Sequence, residues 1–115
     1  MEGLLEVKMP KRTKKYEESL LESLQDPKEA AAYLNAHLEE AEAEDAEELF
    51  LMALRDIAKA YGMSEISEQT DLGRESLYKA LSEFGNPKLH TLWLLFNAIG
   101  LRLLVEPKRK KYRIK

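Results

Sequence analysis

Polar side chains cluster at the start of one short segment in the second half of the chain. Leu77, Ala80 and Leu81 have the i, i+3, i+4 spacing of residues that are buried together on one face of a helix. The opposite side and its flanks then carry Arg74, Glu75, Ser76, Tyr78 and Lys79. Arginine can donate two hydrogen bonds to guanine O6 and N7, and glutamate can accept one from cytosine N4. The chemistry available to this helix is therefore recognition of base edges.

Further polar side chains flank this segment on both sides. A recognition helix enters the major groove with its N-terminal residues nearest the bases, and neighbouring elements approach the phosphates. We expect Gly73, at the start of the helix, to be one of the DNA-binding residues, and we expect phosphate contacts from Ser64, Asn86, Lys88 and Thr91. The alternative is that Arg74 and Glu75 only cap and solubilise a helix of an ordinary bundle.

The residues that could support catalysis are few. The chain has no cysteine and only two histidines, His37 and His90, which fall on different predicted helices. We expect His37, which lies near an acidic helix, to face solvent rather than to form a chance metal site. No glycine-rich phosphate loop or nucleophile motif is present. The sequence therefore predicts a protein that is not an enzyme and that has no metal site and no cofactor.

The charges are distributed unevenly along the 115 residues, although the net charge is only −3. Residues 1–15 carry five basic and two acidic side chains, whereas residues 16–48 carry one basic and twelve acidic ones. Residues 102–115 carry seven basic side chains and one acidic side chain. This asymmetry suggests two different partners. The acidic part is either a docking surface for a basic protein or a solvated helix face.

Two short helices joined by a tight turn would position the polar cluster. Leu72 lies between Asp71 and Gly73, which suits a break of three to four residues. Ser64 offers a hydroxyl to cap the first helix, and the small Ser67 leaves room where the helices cross. Residues 62–82 thus have a helix-turn-helix pattern.

Helices are predicted on both sides of this pair. Asp26 followed by Pro27 indicates a helix start, Asp45 can cap a central helix over residues 46–61, and Gly100 ends a helix that begins at residue 89. Residues 101–105 are strand-like and would pair either with a second copy or with residues 4–7. We expect an N-terminal arm and short helix (residues 1–25), an all-α five-helix domain (residues 26–105) and a basic tail (residues 106–115). The tail either contacts phosphates or stays disordered until it meets a partner.

The string MSEISEQTDLGRESLYKALS, followed by GNP and LLFNAIGLRL, resembles the Xre/HigA-like helix-turn-helix antitoxins, and most closely their probable addiction-module antidote subgroup. The resemblance covers roughly residues 17–105. The family usually has Ala at the position of Ser67, Gly at that of Asp71 and Ser at that of Gly73.

The resemblance implies an Xre/lambda-repressor-like fold and two macromolecular partners. The protein would neutralise a RelE/ParE-like (HigB-type) toxin and, as a homodimer, repress its own operon by binding double-stranded operator DNA. Toxin contacts are expected at the acidic half and its apolar neighbours Leu20, Leu21, Leu24 and Tyr33. A stand-alone Xre-type repressor and a helical adaptor that binds only proteins are the alternatives.

No apolar run approaches the roughly 20 residues that span a bilayer, and the N-terminus lacks the apolar core of a signal peptide. We therefore expect a cytoplasmic protein that does not bind membranes.

Overall fold

The computed structural model describes residues 13–40 and 43–108, and these residues form six α-helices and no strand. The predicted N-terminal arm and the possible strand at residues 4–7 lie outside the described residues, as does most of the basic tail. The helices are α1 (Lys14–Ser23), α2 (Pro27–Glu40), α3 (Ala46–Tyr61), α4 (Met63–Thr70), α5 (Arg74–Ala80) and α6 (Leu89–Ala98), with a 3₁₀ turn at Ala43–Asp45 before α3.

Two of the predicted helix ends are confirmed by their hydrogen bonds. The Asp26 carboxylate accepts a hydrogen bond from the Lys28 amide at 3.0 Å, which satisfies a donor in the first turn of α2. Gly100 follows α6 with a φ of +80°. The amides of Gly100 and Leu101 donate to the carbonyls of Asn97 and Phe96, which is the Schellman arrangement.

Two predicted helix caps are wrong. α4 begins at Met63 after Gly62, so Ser64 lies inside the first turn and caps nothing. Asp45 does precede α3, but its φ and ψ of −116° and 13° depart from the extended backbone of a capping residue. Its side chain consequently makes no capping hydrogen bond.

α3 is the central element of the fold. It contacts α1, α2 and α4, and α4 in turn contacts α5 and α6. The side chains of Ala53, Leu54 and Ala58 are fully enclosed. The apolar circumference predicted for residues 46–61 is therefore the surface on which α1, α2 and α4 pack.

The predicted strand at residues 101–105 is absent from the described residues, where this stretch is irregular chain. A strand needs a partner to satisfy its backbone groups, and within the described chain these residues have none. Pairing with a second copy remains a prediction.

Candidate nucleic-acid interface

Residues 71–73 connect α4 to α5. Asp71 has a φ of 65°, in the left-handed region that glycine favours and aspartate tolerates, and its amide donates to the Ser67 carbonyl. The Ser67 hydroxyl donates to the Leu72 carbonyl at 2.6 Å. The Leu72 amide donates to the Thr70 hydroxyl at 3.2 Å. These hydrogen bonds hold the turn between the two helices, with the small Ser67 at the turn as predicted.

α5 is held against the rest of the protein by its buried side chains and at its C-terminal end. Gly73 precedes the helix with an extended backbone and supplies no side-chain cap. Leu77 and Leu81 are buried in the core. The Nε of Arg55, on α3, donates to the Leu81 carbonyl at 2.5 Å. α5 is thus fixed against α3, although it is only seven residues long.

Burial of Leu77 and Leu81 turns the predicted base-contacting residues outward. We call the exposed side chains of Arg74, Glu75, Ser76, Tyr78 and Lys79 the α5 face; the Tyr78 side chain is 51% exposed. Within the described residues, none of the five side chains makes a hydrogen bond or ion pair. These groups are accessible to an external partner.

The predicted phosphate-contacting residues lie before and after the α5 face in the sequence. Ser64 is exposed in the first turn of α4, and Asn86 and Lys88 are exposed on the connection to α6. Thr91, in the first turn of α6, is half-buried. Residues 62–91 contain three lysines and arginines and five acidic residues, so this part of the chain carries few cations.

A second surface region lies on the first two helices. Glu18, Glu22, Glu29 and Glu39 are exposed on α1 and α2, as are Glu44, Glu47 and Glu48 near the start of α3. Glu17 is paired with Lys59 of α3 at 3.2 Å. Acidic side chains therefore face solvent along this half of the molecule.

The four apolar residues predicted to contact a toxin are less accessible than the acidic ones. We call Leu20, Leu21, Leu24 and Tyr33 the α1–α2 face. Leu24 is a core residue with 4% of its surface exposed. The other three are half-buried and pack against the core.

Tyr33 belongs to a hydrogen-bonded cluster between α2 and α3. Its hydroxyl donates to Oδ2 of Asp56 at 2.6 Å, and Asp56 is only 5% exposed. The Nδ1 of His37 lies 2.8 Å from the Tyr33 carbonyl, so His37 is half-buried rather than solvent-facing as predicted. His90 is exposed. The sequence reasoning missed Asp56, although its spacing from Ala53 and Ala60 places it within the buried stripe of α3.

Metal-ligating side chains are not grouped in the part of the chain that the structure describes. No set of three or more His, Cys, Asp or Glu side chains there could hold a metal ion. Nor is any described helix both long and apolar enough to cross a lipid bilayer.

The described residues thus form a small all-helical protein with two chemically different surface regions. Residues 13–107 match the sequence model of the family described as "Probable addiction module antidote protein", and the chain belongs to this family. Membership implies, in general, a toxin as partner, and it suggests a regulatory protein rather than an enzyme.

A relative from Haemophilus influenzae (strain ATCC 51907 / DSM 11121 / KW20 / Rd) is described as an uncharacterized protein. It is 42% identical over 88 residues, which cover 76% of this chain and 87% of the relative. No solved structure matches the chain.

Proposed function

We propose that this protein is a HigA-like, Xre-type antitoxin. It neutralises a RelE/ParE-like (HigB-type) toxin and, as a homodimer, represses its own operon by binding operator DNA through the α5 face. Membership of the antidote family is the observation that carries the proposal, and the exposed α5 face supports its DNA-binding part.

The α5 face supports sequence-specific rather than purely electrostatic binding. Arg74 and Glu75 lie in the first turn of α5 with free side-chain groups, and each good base contact contributes about 1–3 kcal/mol of discrimination. Few cations surround them, so phosphate contacts alone would bind DNA weakly. A two-fold dimer doubles both sets of contacts and places the half-sites about one helical turn apart.

The acidic half supports the toxin-binding part of the proposal. Exposed glutamates on α1 and α2 would attract a basic protein and speed its association. The half-exposed edges of Leu20 and Leu21 would supply apolar contact, whereas Leu24 and Tyr33 would hold this surface in place from beneath.

Co-expression with the small reading frame next to its gene tests the antidote role. We expect the two proteins to co-purify, and we expect growth that is arrested by the neighbouring protein alone to be restored. If growth remains arrested although this chain is expressed and folded, the antidote role is wrong.

Two variants, with substitutions only at exposed residues, separate the proposed surfaces. Arg74→Ala should weaken operator binding and leave toxin binding unchanged, whereas the paired change Glu18→Lys and Glu22→Lys should do the reverse. Because all three side chains are exposed, neither variant disturbs the core. Loss of both activities in either folded variant would contradict two separate surfaces.

A further inference from the structure

The C-terminal segment, residues 101–108, leaves the helical domain after the Schellman turn at Gly100. The amide of Leu101 donates to Phe96, but within the part of the chain that the structure describes the backbone of residues 102–108 makes no hydrogen bond. Leu104 and Val105 are 78% and 97% exposed. Unpaired backbone next to exposed aliphatic side chains invites association with another chain.

A groove runs between the C-terminal segment and the helices. Its volume is about 520 Å³, and α2 lines it with Leu34 and Leu38, α3 with Phe50 and α6 with Phe96. On the adjoining surface of α6, Trp93 is 56% exposed and lies beside Leu103. Apolar side chains thus form much of the lining beside the segment, and Asn35 and Glu39 of α2 add polar groups to it.

The two sides of the segment differ in exposure. Leu101 packs against the core and Leu103 is 41% exposed, whereas Leu104 is 78% exposed. The side chains of Leu101 and Leu103 are therefore turned toward the domain, whereas those of Leu104 and Val105 (97% exposed) are left to solvent.

The order of residues in this segment is complementary to itself. When two copies run antiparallel about a two-fold axis through Leu104, Arg102 lies opposite the partner's Glu106, and Glu106 lies opposite the partner's Arg102. Leu103 then lies opposite the partner's Val105. Opposite charges that face each other across antiparallel strands stabilise the pairing, whereas like charges destabilise it. A second copy meets this pattern by symmetry, whereas an unrelated chain would need a matching sequence.

We propose that a second copy of this chain covers this surface. The two C-terminal segments pair as an antiparallel ribbon centred on Leu104, with Arg102 and the partner's Glu106 forming a charge pair on each side of the axis. A two-stranded ribbon alone is only marginally stable, and packing over the groove between α2 and α6 supplies the apolar support it needs. Such an interface is isologous and forms a closed dimer. The inference rests on the proposed function, since it identifies the surface through which the operator-binding homodimer forms.

Charge reversal tests both the surface and its register. In the variant Arg102→Glu, Glu106 would face the partner's introduced glutamate; in Glu106→Arg, two arginines would face each other. We expect each variant alone to raise the dimer dissociation constant about tenfold or more, because two opposite-charge pairs become like-charge pairs. The measurement is the molar mass by light scattering across a dilution series, with the full chain. Lys108→Glu is the matched control, since this exposed lysine lies beyond the ribbon and should not change the mass.

Mixing the two variants gives the decisive result. Each glutamate of the Arg102→Glu copy then faces an arginine of the Glu106→Arg copy, so we expect an equimolar mixture to form heterodimers. The double variant Arg102→Glu with Glu106→Arg should likewise regain the native dissociation constant. Circular dichroism of each variant checks that the helices are intact.

Three outcomes would overturn this proposal. A native chain that stays monomeric at every concentration excludes the dimer, and a dimer that is insensitive to both reversals lies elsewhere. Single variants that weaken the dimer without rescue by mixing or by the double change exclude this register. The experiment contains neither DNA nor toxin, so failure of the ribbon leaves toxin neutralisation untouched. A dimer of the expected register that binds no operator would contradict only the proposed function.

Discussion

The α5 face and the α1–α2 face differ in how their side chains relate to the core. All five side chains of the α5 face point to solvent, because the helix is anchored by Leu77 and Leu81 on its other side. The side chains of the α1–α2 face are instead buried or half-buried against the core. Its Leu24 is buried, and its Tyr33 is tied to Asp56 beneath.

This difference shows what each kind of side chain can indicate about function. A polar residue opposite a buried stripe has to be exposed, so its accessibility follows from the stripe. An apolar residue on a short amphipathic helix suits either a core or an interface, and the sequence alone does not distinguish them. The following substitutions test whether the α1–α2 face stabilises the fold while the α5 face serves binding.

Leu24→Ala should have the largest effect on stability. Truncating a buried leucine removes apolar contacts and leaves a cavity, so we expect the free energy of unfolding to fall by about 2–5 kcal/mol. Denaturant unfolding followed by circular dichroism measures this loss. Leu89→Ala is the control, since Leu89 is 69% exposed and should change stability little. Equal losses in both variants would show that Leu24 is not a core residue.

Tyr33→Phe should also act on stability. The variant removes the hydroxyl that donates to Asp56 at 2.6 Å and leaves a buried carboxyl oxygen without that donor. We expect the free energy of unfolding to fall by about 1–3 kcal/mol. Tyr16→Phe is the control. It also removes a tyrosine hydroxyl, but Tyr16 of α1 is exposed, so the free energy of unfolding should hardly change. An unchanged stability for Tyr33→Phe would show that this hydrogen bond does not stabilise the fold.

Arg74→Ala and Lys88→Ala should weaken operator binding in different ways. Arg74→Ala removes a base contact, so it should cost about 1–3 kcal/mol of operator-binding free energy and relax the preference at one base pair per half-site. Lys88→Ala removes a phosphate contact, so it should weaken binding to all DNA sequences and reduce the slope of log K against log salt by about 0.9 per copy. Titrations at several salt concentrations with native and substituted operators distinguish the two. Identical salt slopes and identical base preferences in both variants would contradict these separate roles.

Asp71→Gly should have the smallest effect, and it should be stabilising. Asp71 has a φ of 65°, and glycine adopts this conformation without steric cost. The greater freedom of glycine in the unfolded chain offsets part of the gain, so we expect a rise of a few tenths to about 1 kcal/mol in the free energy of unfolding. Glu68→Gly, on an exposed residue inside α4, should instead lower it by about 1 kcal/mol. A destabilising Asp71→Gly would show that the aspartate side chain itself supports the turn.

Much of the helical architecture could be predicted from local patterns. The bounds of α3 coincide with the predicted residues 46–61, and Asp26 and Gly100 mark ends that the hydrogen bonds confirm. The spacing of residues in the sequence does not show which hydrogen-bond partner each polar group has in the fold. The bonds from Arg55 to Leu81 and from Tyr33 to Asp56 depend on which helices meet in space. The predicted strand is absent from the described chain for the same reason, because a strand forms only where a neighbouring strand is present to pair with it.

The candidate site could be predicted only in part. Burial of Leu77 implied an exposed α5 face, and the structure agrees on exposure. Contacts with DNA or toxin depend on molecules that the chain does not contain, so the assigned roles of these residues remain predictions.

The contacts of α3 also bear on how quickly the chain folds. α3 packs against α2 and α4, its neighbours in sequence, and α4 packs against α5, so many native contacts close short loops. Helical proteins with such local contacts fold within about microseconds to milliseconds, because little chain entropy is lost before contacts form. Stopped-flow refolding should therefore be nearly complete within the dead time of the instrument. A chain released from an unfolded state would regain its helical surfaces far faster than a cell makes a new copy.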